Sequence, residues 1–364
     1  MAVAVGLLLS VVGFGGLAGA HYFLGRLTAG IQTTTTVLTD SGDPPGGSGR
    51  LPRGAINLLM LGLDTREGWD ETGQASRSDT IIVLHIAASH DQAYLISIPR
   101  DTVAQIPADE ELDFQGATTR VNAAYAYGSG QGRGWTGGAR LATAAVADLT
   151  GLTFDGVAVI DFAGFRNVID AVGSVRMCVE QDTWSSHYSV GRHGQQVYDV
   201  GREGSRPRWN NWVHEAGCRD MAGWEALDYA RQRYGLPNGD YDRQRHQQQL
   251  LRAMARQATS SGVLASPTRL AAVLAAAGES LKLDTHGVPV DDFLFGLKAI
   301  AAADLISLKT NDGTFAGIGK GGGEMITDAT RHLFDAASDD ELGEFLMAYP
   351  EYIAADASPA PSSH

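Results

Sequence analysis

Acidic and arginine side chains recur at the ends of three predicted strands in the first third of the chain. These side chains are, in chain order, Asp64, Arg77, Asp79, Arg100 and Asp101. Ligands of open α/β sheets lie beyond the strand ends, where connecting loops converge. Carboxylate oxygens are the preferred ligands of hard divalent cations, so Asp64 and Asp79 are candidates for binding one such ion. A surface salt bridge is the alternative for any single pair, but recurrence at three strand ends favours a site.

A second group of polar side chains lies downstream. Arg231 and Arg233 are two positions apart, so they share one face only if the chain is extended beyond Tyr229. Arg243 and Gln247 have i,i+4 spacing and share one face of a predicted helix. Guanidinium groups bind phosphate through paired hydrogen bonds and keep their charge when desolvated. The group therefore predicts an anionic ligand, with a solvated basic helix face as the alternative.

The overall composition disfavours several functional classes. The net charge of −14 opposes nucleic-acid binding, which depends on clustered positive charge. The chain has no Gly-x-Ser-x-Gly elbow and no His-Glu-x-x-His motif, which disfavours a serine hydrolase and a zinc enzyme. Carboxylates, one hard metal ion and several arginines suit phosphoryl chemistry, in which the catalyst positions groups and neutralises charge.

Predicted strands and helices alternate along the chain. The predicted strands are residues 56–61, 80–86, 93–98 and 157–160, and the predicted helices are residues 139–149, 162–172, 222–230 and 244–259. We expect residues 182–211 to form a long surface loop and residues 288–355 to be mainly helical. This mixture predicts an α/β fold, a three-layer α-β-α domain with a central mixed sheet.

The N-terminal segment determines the expected compartment. Residues 2–20 carry no ionisable side chain, and about 20 apolar residues cross a bilayer as a helix. A cleaved signal peptide is the competing interpretation, because the Ala-Gly-Ala sequence at 18–20 resembles a cleavage site; a buried soluble helix is a third. No basic residue precedes the apolar run, so we expect an uncleaved single-pass anchor at residues 1–26, with the rest of the chain extracytoplasmic.

The remaining chain divides by composition. Residues 27–54 are rich in Ser, Thr, Gly and Pro and are predicted to form a flexible linker. A catalytic domain is expected at residues 55–348 and a disordered tail at 349–364. Cys178 and Cys218 are the two cysteines; they can form a disulfide in an oxidising compartment, and two free thiols are the alternative.

Seven short motifs occur in a fixed order along the chain. They are NLLMLGLDTR at 57–66, RSDT at 77–80, SIPRDT at 97–102, VNAAYAYG at 121–128, DFAGFRNVIDAVGSV at 161–175, EALDYARQR at 225–233 and GDYDRQRHQ at 239–247. Together they resemble the LytR-CpsA-Psr phosphotransferases of bacterial cell walls, over about residues 55–345. The collinear set is more specific than any one motif.

The resemblance implies a membrane enzyme that transfers a glycan from a polyprenyl (decaprenyl or undecaprenyl) diphosphate to a peptidoglycan hydroxyl. By motif position, Asp64 and Asp79 are similar to the family's metal ligands, with Mg²⁺ as the ion and Mn²⁺ as an alternative. Asp101 is expected to orient its arginine or to act as a base. The family's pyrophosphate-binding positions are similar to Arg77, Arg100, Arg120, Arg231, Arg233, Arg243 and Gln247.

The family also encloses its lipid tail in an apolar tunnel. The candidate wall residues by resemblance are Phe162, Phe165, Val168, Ile169 and Val172, although a plain hydrophobic core predicts the same pattern. Three positions depart from the family pattern: Arg120 replaces a lysine, Gly173-Ser174 replaces two glycines, and His246 replaces an arginine. The last change would make one cation depend on pH.

Two other functions remain compatible with the same residues. A polyprenyl diphosphate phosphatase or pyrophosphatase would use water in place of the sugar hydroxyl. A lipid-binding protein without catalysis would need the arginines but not Asp64 and Asp79. A DNA-binding regulator is disfavoured by the anchor and by the acidic balance. The arginine- and alanine-rich composition favours an actinobacterial source, and hence arabinogalactan as the polymer over teichoic acid or a capsule.

Overall fold

The computed structural model describes residues 31–38, 54–64, 76–198, 208–263, 266–288 and 304–354. The predicted anchor at residues 1–26 lies outside these ranges, as does most of the predicted linker. Within the described ranges, no helix combines the length and the apolar character needed to cross a bilayer.

A seven-stranded mixed sheet forms the centre of the fold. Its strands, in spatial order, are β1 (Gln32–Thr34), β13 (Leu281–Asp284), β7 (Gly156–Asp161), β2 (Ile56–Leu63), β3 (Ser78–Ile86), β4 (Gln92–Ser97) and β14 (Asp304–Leu308). β2 is parallel to β7 and antiparallel to β3, and β3 is antiparallel to β4. The last residues of β2, β4 and β7 and the first residues of β3 therefore lie at one end of the sheet.

Side chains of the central strands alternate between the two faces of this sheet, as the period of a strand requires. Leu59 and Leu61 belong to the main hydrophobic core on one face. Met60 and Gly62 lie on the opposite face, where they line an apolar cavity. A Cβ atom at Gly62 would lie 2.8 Å from the Cβ of Thr80, its cross-strand partner. Only glycine fits this close approach.

Helices cover both faces of the sheet. They are α1 (Ala123–Ser129), α2 (Gly134–Thr150), α3 (Phe162–Val172), α4 (Gly223–Arg231), α5 (Asp240–Ser260), α6 (Pro267–Ala277), α7 (Asp328–Ser338) and α8 (Leu342–Ala348), with 3₁₀ turns at Gly278–Ser280, Asn311–Gly313 and Pro350–Tyr352. Side chains of α2, α7 and α8 pack in the main core. Side chains of α3, α4 and α5 close the opposite face, where they line the apolar cavity. The predicted α/β fold with a central mixed sheet is confirmed.

Three small sheets surround the centre. They are β5–β6 (Val103–Ile106 and Ala117–Arg120), β8–β12 (Val175–Val179 and Gly217–Met221), and β10–β9–β11 (Gln196–Tyr198, Thr183–Val190 and Asn211–His214). β9 and β10 lie within residues 182–211 and β11 begins at Asn211, so the prediction of a long loop is wrong for these strand residues. Aromatic side chains of this sheet pack against α4, a contact that the sequence pattern does not indicate. The rings of Tyr188 and Trp212 lie 5.1 and 5.4 Å from that of Trp224 on α4.

The predicted linker is partly folded. Gln32–Thr34 forms β1 beside β13, and the backbone N–H groups of Val37 and Leu38 donate to the Asp284 carboxylate at 2.9 and 3.3 Å. Val37 and Leu38 are buried. The linker prediction is therefore wrong for these residues, because β-branched threonines suit a strand as well as a spacer.

The C-terminal predictions also need correction. The segment expected to be mainly helical contains β14, which pairs with β4 in parallel. The predicted disordered tail begins with ordered residues: Tyr352 is buried, and Ile353 forms a β-bridge with Leu308. The start of the tail thus completes the β14 side of the core.

A disulfide joins Cys178 to Cys218, as the cysteine count allowed. The two residues are directly opposed partners of β8 and β12, which run antiparallel. The bridge spans 40 positions of sequence and closes the segment that carries β9, β10 and β11. This segment supplies side chains to the site described next.

Candidate active site

A small polar pocket of about 60 Å³ lies at the end of the sheet where β2, β4 and β7 finish and β3 begins. It is lined by Asp64, Asp79, Thr80, Arg100, Phe162, Ser186, His187, Arg231, Arg233, Tyr234, Arg243 and Gln247. Members of both groups of polar residues that the sequence predicted, far apart in the chain, thus meet in one place. Antiparallel pairing brings the end of β2 and the start of β3 together. This pairing places Asp64 and Asp79 in the same pocket.

Arg100 is held by carboxylates on three sides. Its Nη1 donates to Asp79 at 2.5 Å, and its Nε lies 3.8 Å from both Asp101 and Asp240. Burial disfavours the charge of Arg100, but the fields of Asp79, Asp240 and Asp101 outweigh it and raise the pKa of the guanidinium. Arg100 is therefore a fixed cation at the base of the pocket.

Arg243 is the most deeply buried cation of the pocket, with 6% of its surface exposed. Its Nη2 donates to the Asp79 backbone carbonyl at 2.9 Å and lies 3.0 Å from an Asp240 oxygen. Burial lowers its pKa, and Asp240 opposes that shift. The buried Nε of Arg243, like that of Arg100, has no hydrogen-bond partner among the described residues. Such donors are suited to an anion entering the pocket.

Arg231 and Arg233 reach the pocket from the end of α4. The helix ends at Arg231, and Gln232 is extended, with φ −69° and ψ 138°. The helix predicted at residues 222–230 thus ends one residue later than expected, and the chain beyond it is extended, as a shared face for the two arginines requires. The Arg231 guanidinium lies 3.8 Å from the centre of the Phe162 ring and 3.5 Å from Asp64. Arg233 donates to the Tyr234 hydroxyl at 2.9 Å.

Asp64 and Asp79, the predicted ligands of the metal ion, both line the pocket. Mg²⁺ commonly takes one or two carboxylates from the protein and completes its shell with water and substrate phosphates. Two carboxylates beside an arginine-lined pocket fit that pattern. Among the described residues, no group of three or more His, Cys, Asp or Glu side chains is arranged to hold a metal. Substrate oxygens would therefore have to provide part of the coordination.

Three predicted site residues lie outside the pocket lining. Arg77 is exposed at the start of β3. Arg120 and Asp101 pair with each other at 3.2 Å, and each is nearly half exposed. Asp101 also faces Arg100 at 3.8 Å, which fits the predicted orienting role better than that of a base within the pocket.

An apolar cavity of about 210 Å³ adjoins the polar pocket. The two share the side chains of Thr80, Phe162, Arg231 and Gln247. The further lining of the cavity comes from strands and helices together: Met60, Leu61, Gly62, Ile82, Ala158, Ile160, Asp161, Phe165, Leu227, Ala230, Leu250, Leu251 and Leu281. The charged pocket and the apolar cavity are therefore direct neighbours.

Two of the five predicted tunnel residues, Phe162 and Phe165, line this cavity. The other three lie elsewhere. Ile169 is in a core cluster between α3, α4, α5 and the β8–β12 sheet. Val168 and Val172 pack against α6 in another cluster. They occupy other faces of α3, so for them the plain-core alternative is the correct interpretation.

His187 is a pocket residue that the sequence patterns did not single out. It lies on β9, and its Nδ1 is 2.8 Å from a carboxylate oxygen of Asp228 on α4. No motif spacing links the two residues, which are 41 positions apart. Because the sequence pattern predicts a surface loop for residues 182–211, it gives no reason to place His187 in a site.

His246, the predicted pH-dependent cation, lies outside the pocket. It is buried, its ring stacks on Tyr229 with 4.3 Å between centres, and its Nε2 is 3.0 Å from the Tyr229 hydroxyl. Burial lowers the pKa of His246, although Glu180 opposes the shift. The side chain is a neutral part of the core, so the expectation of a conditional cation in the site is wrong.

We expect the protein to lose stability as pH falls below about 6.5, the ordinary pKa of histidine. Burial lowers the pKa of both His85 and His246, so the unfolded chain binds protons that the folded chain excludes. Above the unfolded-state pKa these two histidines leave the free energy of unfolding unchanged, and below that pKa they lower it. Urea denaturation of the full chain in detergent at pH 5 to 8 measures the slope of the free energy of unfolding against pH.

His246→Gln should make this slope shallower, by up to about 1.4 kcal/mol per pH unit for one proton. His193→Gln is the matched control, because His193 is exposed. An unchanged slope in His246→Gln would contradict a neutral buried imidazole.

Comparisons with known proteins identify the family of this chain. A family model described as the LytR_cpsA_psr family matches residues 31–310, a range that includes β1. The cell wall biosynthesis protein LcpA of Corynebacterium glutamicum is 28% identical over 303 residues, which cover 73% of this chain and 52% of LcpA. TagU of Enterococcus faecalis, a polyisoprenyl-teichoic acid–peptidoglycan teichoic acid transferase, is 28% identical, with coverage of 63% and 61%. The chain thus spans about half to three fifths of the length of these relatives.

A solved structure supports the fold. The protein gbs0355 of Streptococcus agalactiae superposes with a TM-score of 0.61 at 20% identity, and the match covers 79% of this chain and 88% of the other. At this level of identity the similarity concerns the fold alone.

Proposed function

This chain belongs to the LytR_cpsA_psr family, and from that membership and the site we propose that it transfers a glycopolymer from a polyprenyl diphosphate to a hydroxyl of peptidoglycan. The observation that carries the proposal is that the arginine-lined pocket and the apolar cavity adjoin and share four lining side chains. A ligand for both must be anionic at one end and apolar at the other. The names of the relatives support the same chemistry, since they describe cell wall biosynthesis and transfer of teichoic acid to peptidoglycan.

In the proposed complex, the polyprenyl tail lies in the apolar cavity and the diphosphate lies in the polar pocket. Arg231 and Gln247, which line both spaces, would contact the phosphate nearer the lipid. Arg100, Arg233 and Arg243 would contact the phosphate attached to the glycan. Fixed guanidinium groups stabilise charge that develops on the transferring phosphorus and on the leaving phosphate.

The metal ion is part of the proposal. Asp64 and Asp79 would hold Mg²⁺, with Mn²⁺ as the alternative, and they line the pocket beside the arginines. When bound, such an ion neutralises charge on the phosphate oxygens. The protein contributes the orientation: Arg231 and Arg100 each face one of these carboxylates, which fixes both acids at the base of the pocket.

The proposed reaction takes place at the outer face of the cytoplasmic membrane, with residues 1–26 as the anchor. The Cys178–Cys218 disulfide supports an oxidising, extracytoplasmic environment. We propose arabinogalactan as the polymer, on the arginine- and alanine-rich composition alone.

The wild-type full chain in detergent tests the proposal. A polyprenyl diphosphate that carries a labelled glycan would be incubated with peptidoglycan fragments and Mg²⁺. The expected products are labelled peptidoglycan and polyprenyl monophosphate in equal amounts, and chelation of the metal should stop both. Release of free glycan phosphate at the same rate without acceptor would indicate a hydrolase. Tight binding without turnover would indicate a lipid carrier.

A further inference from the structure

The polar pocket contains a histidine that is held from behind by a buried acid. His187 on β9 lines the pocket, and its Nδ1 lies 2.8 Å from one oxygen of Asp228. The other oxygen of Asp228 lies 2.7 Å from Nε2 of His214 on β11. Asp228 is 2% exposed and His214 is fully buried. The three side chains therefore form one unit whose most accessible member is His187, with 15% of its side chain exposed.

Asp228 is ionised in this unit. Burial disfavours its charge, but hydrogen bonds from His187 and His214 outweigh burial and hold the pKa of the carboxyl below its usual value. Gln232 strengthens the arrangement, because its Nε2 donates at 2.8 Å to the Asp228 oxygen that faces His187. The Oε1 of Gln232 accepts from the backbone N–H and the hydroxyl of Ser186, next to His187.

An ionised Asp228 selects one tautomer of His187. The proton of the neutral ring is placed on Nδ1, where it is donated to the carboxylate, and Nε2 keeps its lone pair. A carboxylate behind an imidazole also stabilises the imidazolium that forms when Nε2 takes up a proton. His187 is thus prepared to accept a proton on the nitrogen away from Asp228.

The other acids of the pocket are less suited to that role. Asp79 accepts a hydrogen bond from Arg100 at 2.5 Å, and Asp64 faces Arg231 at 3.5 Å. Among the described pocket residues, His187 is the one imidazole. Besides Asp228 and His214, the charged or titratable groups near His187 are its neighbour Tyr188 on β9 and the side chains that line the same pocket: Asp64, Asp79, Arg100, Arg231, Arg233, Tyr234 and Arg243.

The position of His187 agrees with a role on the acceptor side. It lines the polar pocket but not the apolar cavity, whereas Arg231 and Gln247 line both. A lipid in the cavity would direct its leaving phosphate towards those shared residues. His187 then lies in the part of the pocket that does not adjoin the cavity, where an acceptor hydroxyl could enter.

We propose that His187 is the general base of the transfer and that Asp228 is its positioning residue, an inference that rests on the proposed function. The acceptor hydroxyl gives its proton to Nε2 of His187 while its oxygen bonds to the glycan-linked phosphorus. The bond between that phosphorus and the bridging oxygen breaks, and polyprenyl phosphate leaves with the electron pair. Histidine carries the proton until solvent removes it after product release.

The test compares His187→Gln and Asp228→Asn with the wild type over pH 5 to 9, in the transfer assay with the full chain. We expect His187→Gln to lower kcat by about 10²-fold or more, with KM for the lipid substrate changed less than about threefold. In the wild type, kcat should fall at the acidic end of this pH range, and this fall (the acid limb of the pH profile) should be absent from His187→Gln. In His187→Ala, added imidazole should restore part of the activity. Asp228→Asn should keep an acid limb but shift its midpoint.

His193→Gln serves as the matched control, because His193 is an exposed histidine on the same disulfide-closed segment. Thermal unfolding and binding of polyprenyl phosphate would show that each variant is folded. If wild type transfers glycan and His187→Gln keeps both its rate and its acid limb, the assignment of the base is wrong. If wild type binds the lipid but never modifies an acceptor, the proposed function itself fails.

Discussion

Asp79→Asn is expected to lower kcat/KM for glycan transfer by about 10³-fold, or about 4 kcal/mol of transition-state stabilisation. Asp79 has two roles in the proposed reaction. Its carboxylate accepts the 2.5 Å hydrogen bond that fixes Arg100, and it would supply one of two protein ligands to the metal ion. Asparagine keeps the shape of the side chain but removes the charge on which both roles depend. Transfer rates as a function of Mg²⁺ concentration measure the effect, and calorimetry measures the affinity for the metal.

A matched control for this substitution exists on another part of the fold. Asp109 pairs with Arg140 at 2.7 Å, and the pair is about as buried as Asp79 and Arg100. Asp109→Asn should lower stability to a similar extent and leave transfer within about twofold of the wild type, because it is outside the pocket. If Asp79→Asn retained normal transfer and normal Mg²⁺ affinity, the assignment of the metal site would be wrong.

Ala158→Phe should weaken binding of the lipid tail. Ala158 lines the apolar cavity from β7, so a benzyl group there would occupy space that the tail needs. Displacing two or three methylene groups from apolar contact costs about 2 kcal/mol, which is roughly thirtyfold in KM. The diphosphate contacts are untouched, so kcat should change little. The measurement is KM for substrates with long and short polyprenyl chains.

A substrate whose carrier has one or two isoprene units separates this effect from general damage. It should bind equally to wild type and to Ala158→Phe, because it does not reach the filled part of the cavity. Ala171→Phe is the control for adding a phenylalanine, since Ala171 is exposed on α3. An equal loss for long and short carriers would show that the cavity does not hold the tail.

The strands and helices that build the pocket were predictable because their apolar patterns are strong. The prediction also placed acids and arginines at strand ends, and antiparallel pairing then brought Asp64 and Asp79 together. The cavity was less accessible to prediction. Its strand residues, such as Met60 and Ile82, alternate with core residues on the other face, and the two faces are equally apolar in sequence. Only the positions of α3, α4 and α5 decide which face leaves a space.

His187 could not be predicted from local sequence. The β9–β11 sheet owes its stability to aromatic contacts with α4 and to the Cys178–Cys218 bridge, both of which join residues distant in the chain. The partner of His187, Asp228, is in the EALDYARQR motif, where periodicity explains it as an ordinary helical residue. β1 was missed for a similar reason. The threonines of Gln32–Thr34 are compatible with a spacer, and the segment becomes a strand only because it pairs with the edge of β13.

The lining of the polar pocket determines which part of the substrate the protein contacts. Its four arginines, Arg100, Arg231, Arg233 and Arg243, are suited to the oxygens of a diphosphate. Recognition under the proposed function is therefore confined to the junction between lipid and polymer, and the sugars beyond it remain in solvent. Such an enzyme would ligate polymers of any degree of polymerisation at the same rate per reducing end. The length distribution on the wall would then be set by the polymerase and export steps that precede attachment.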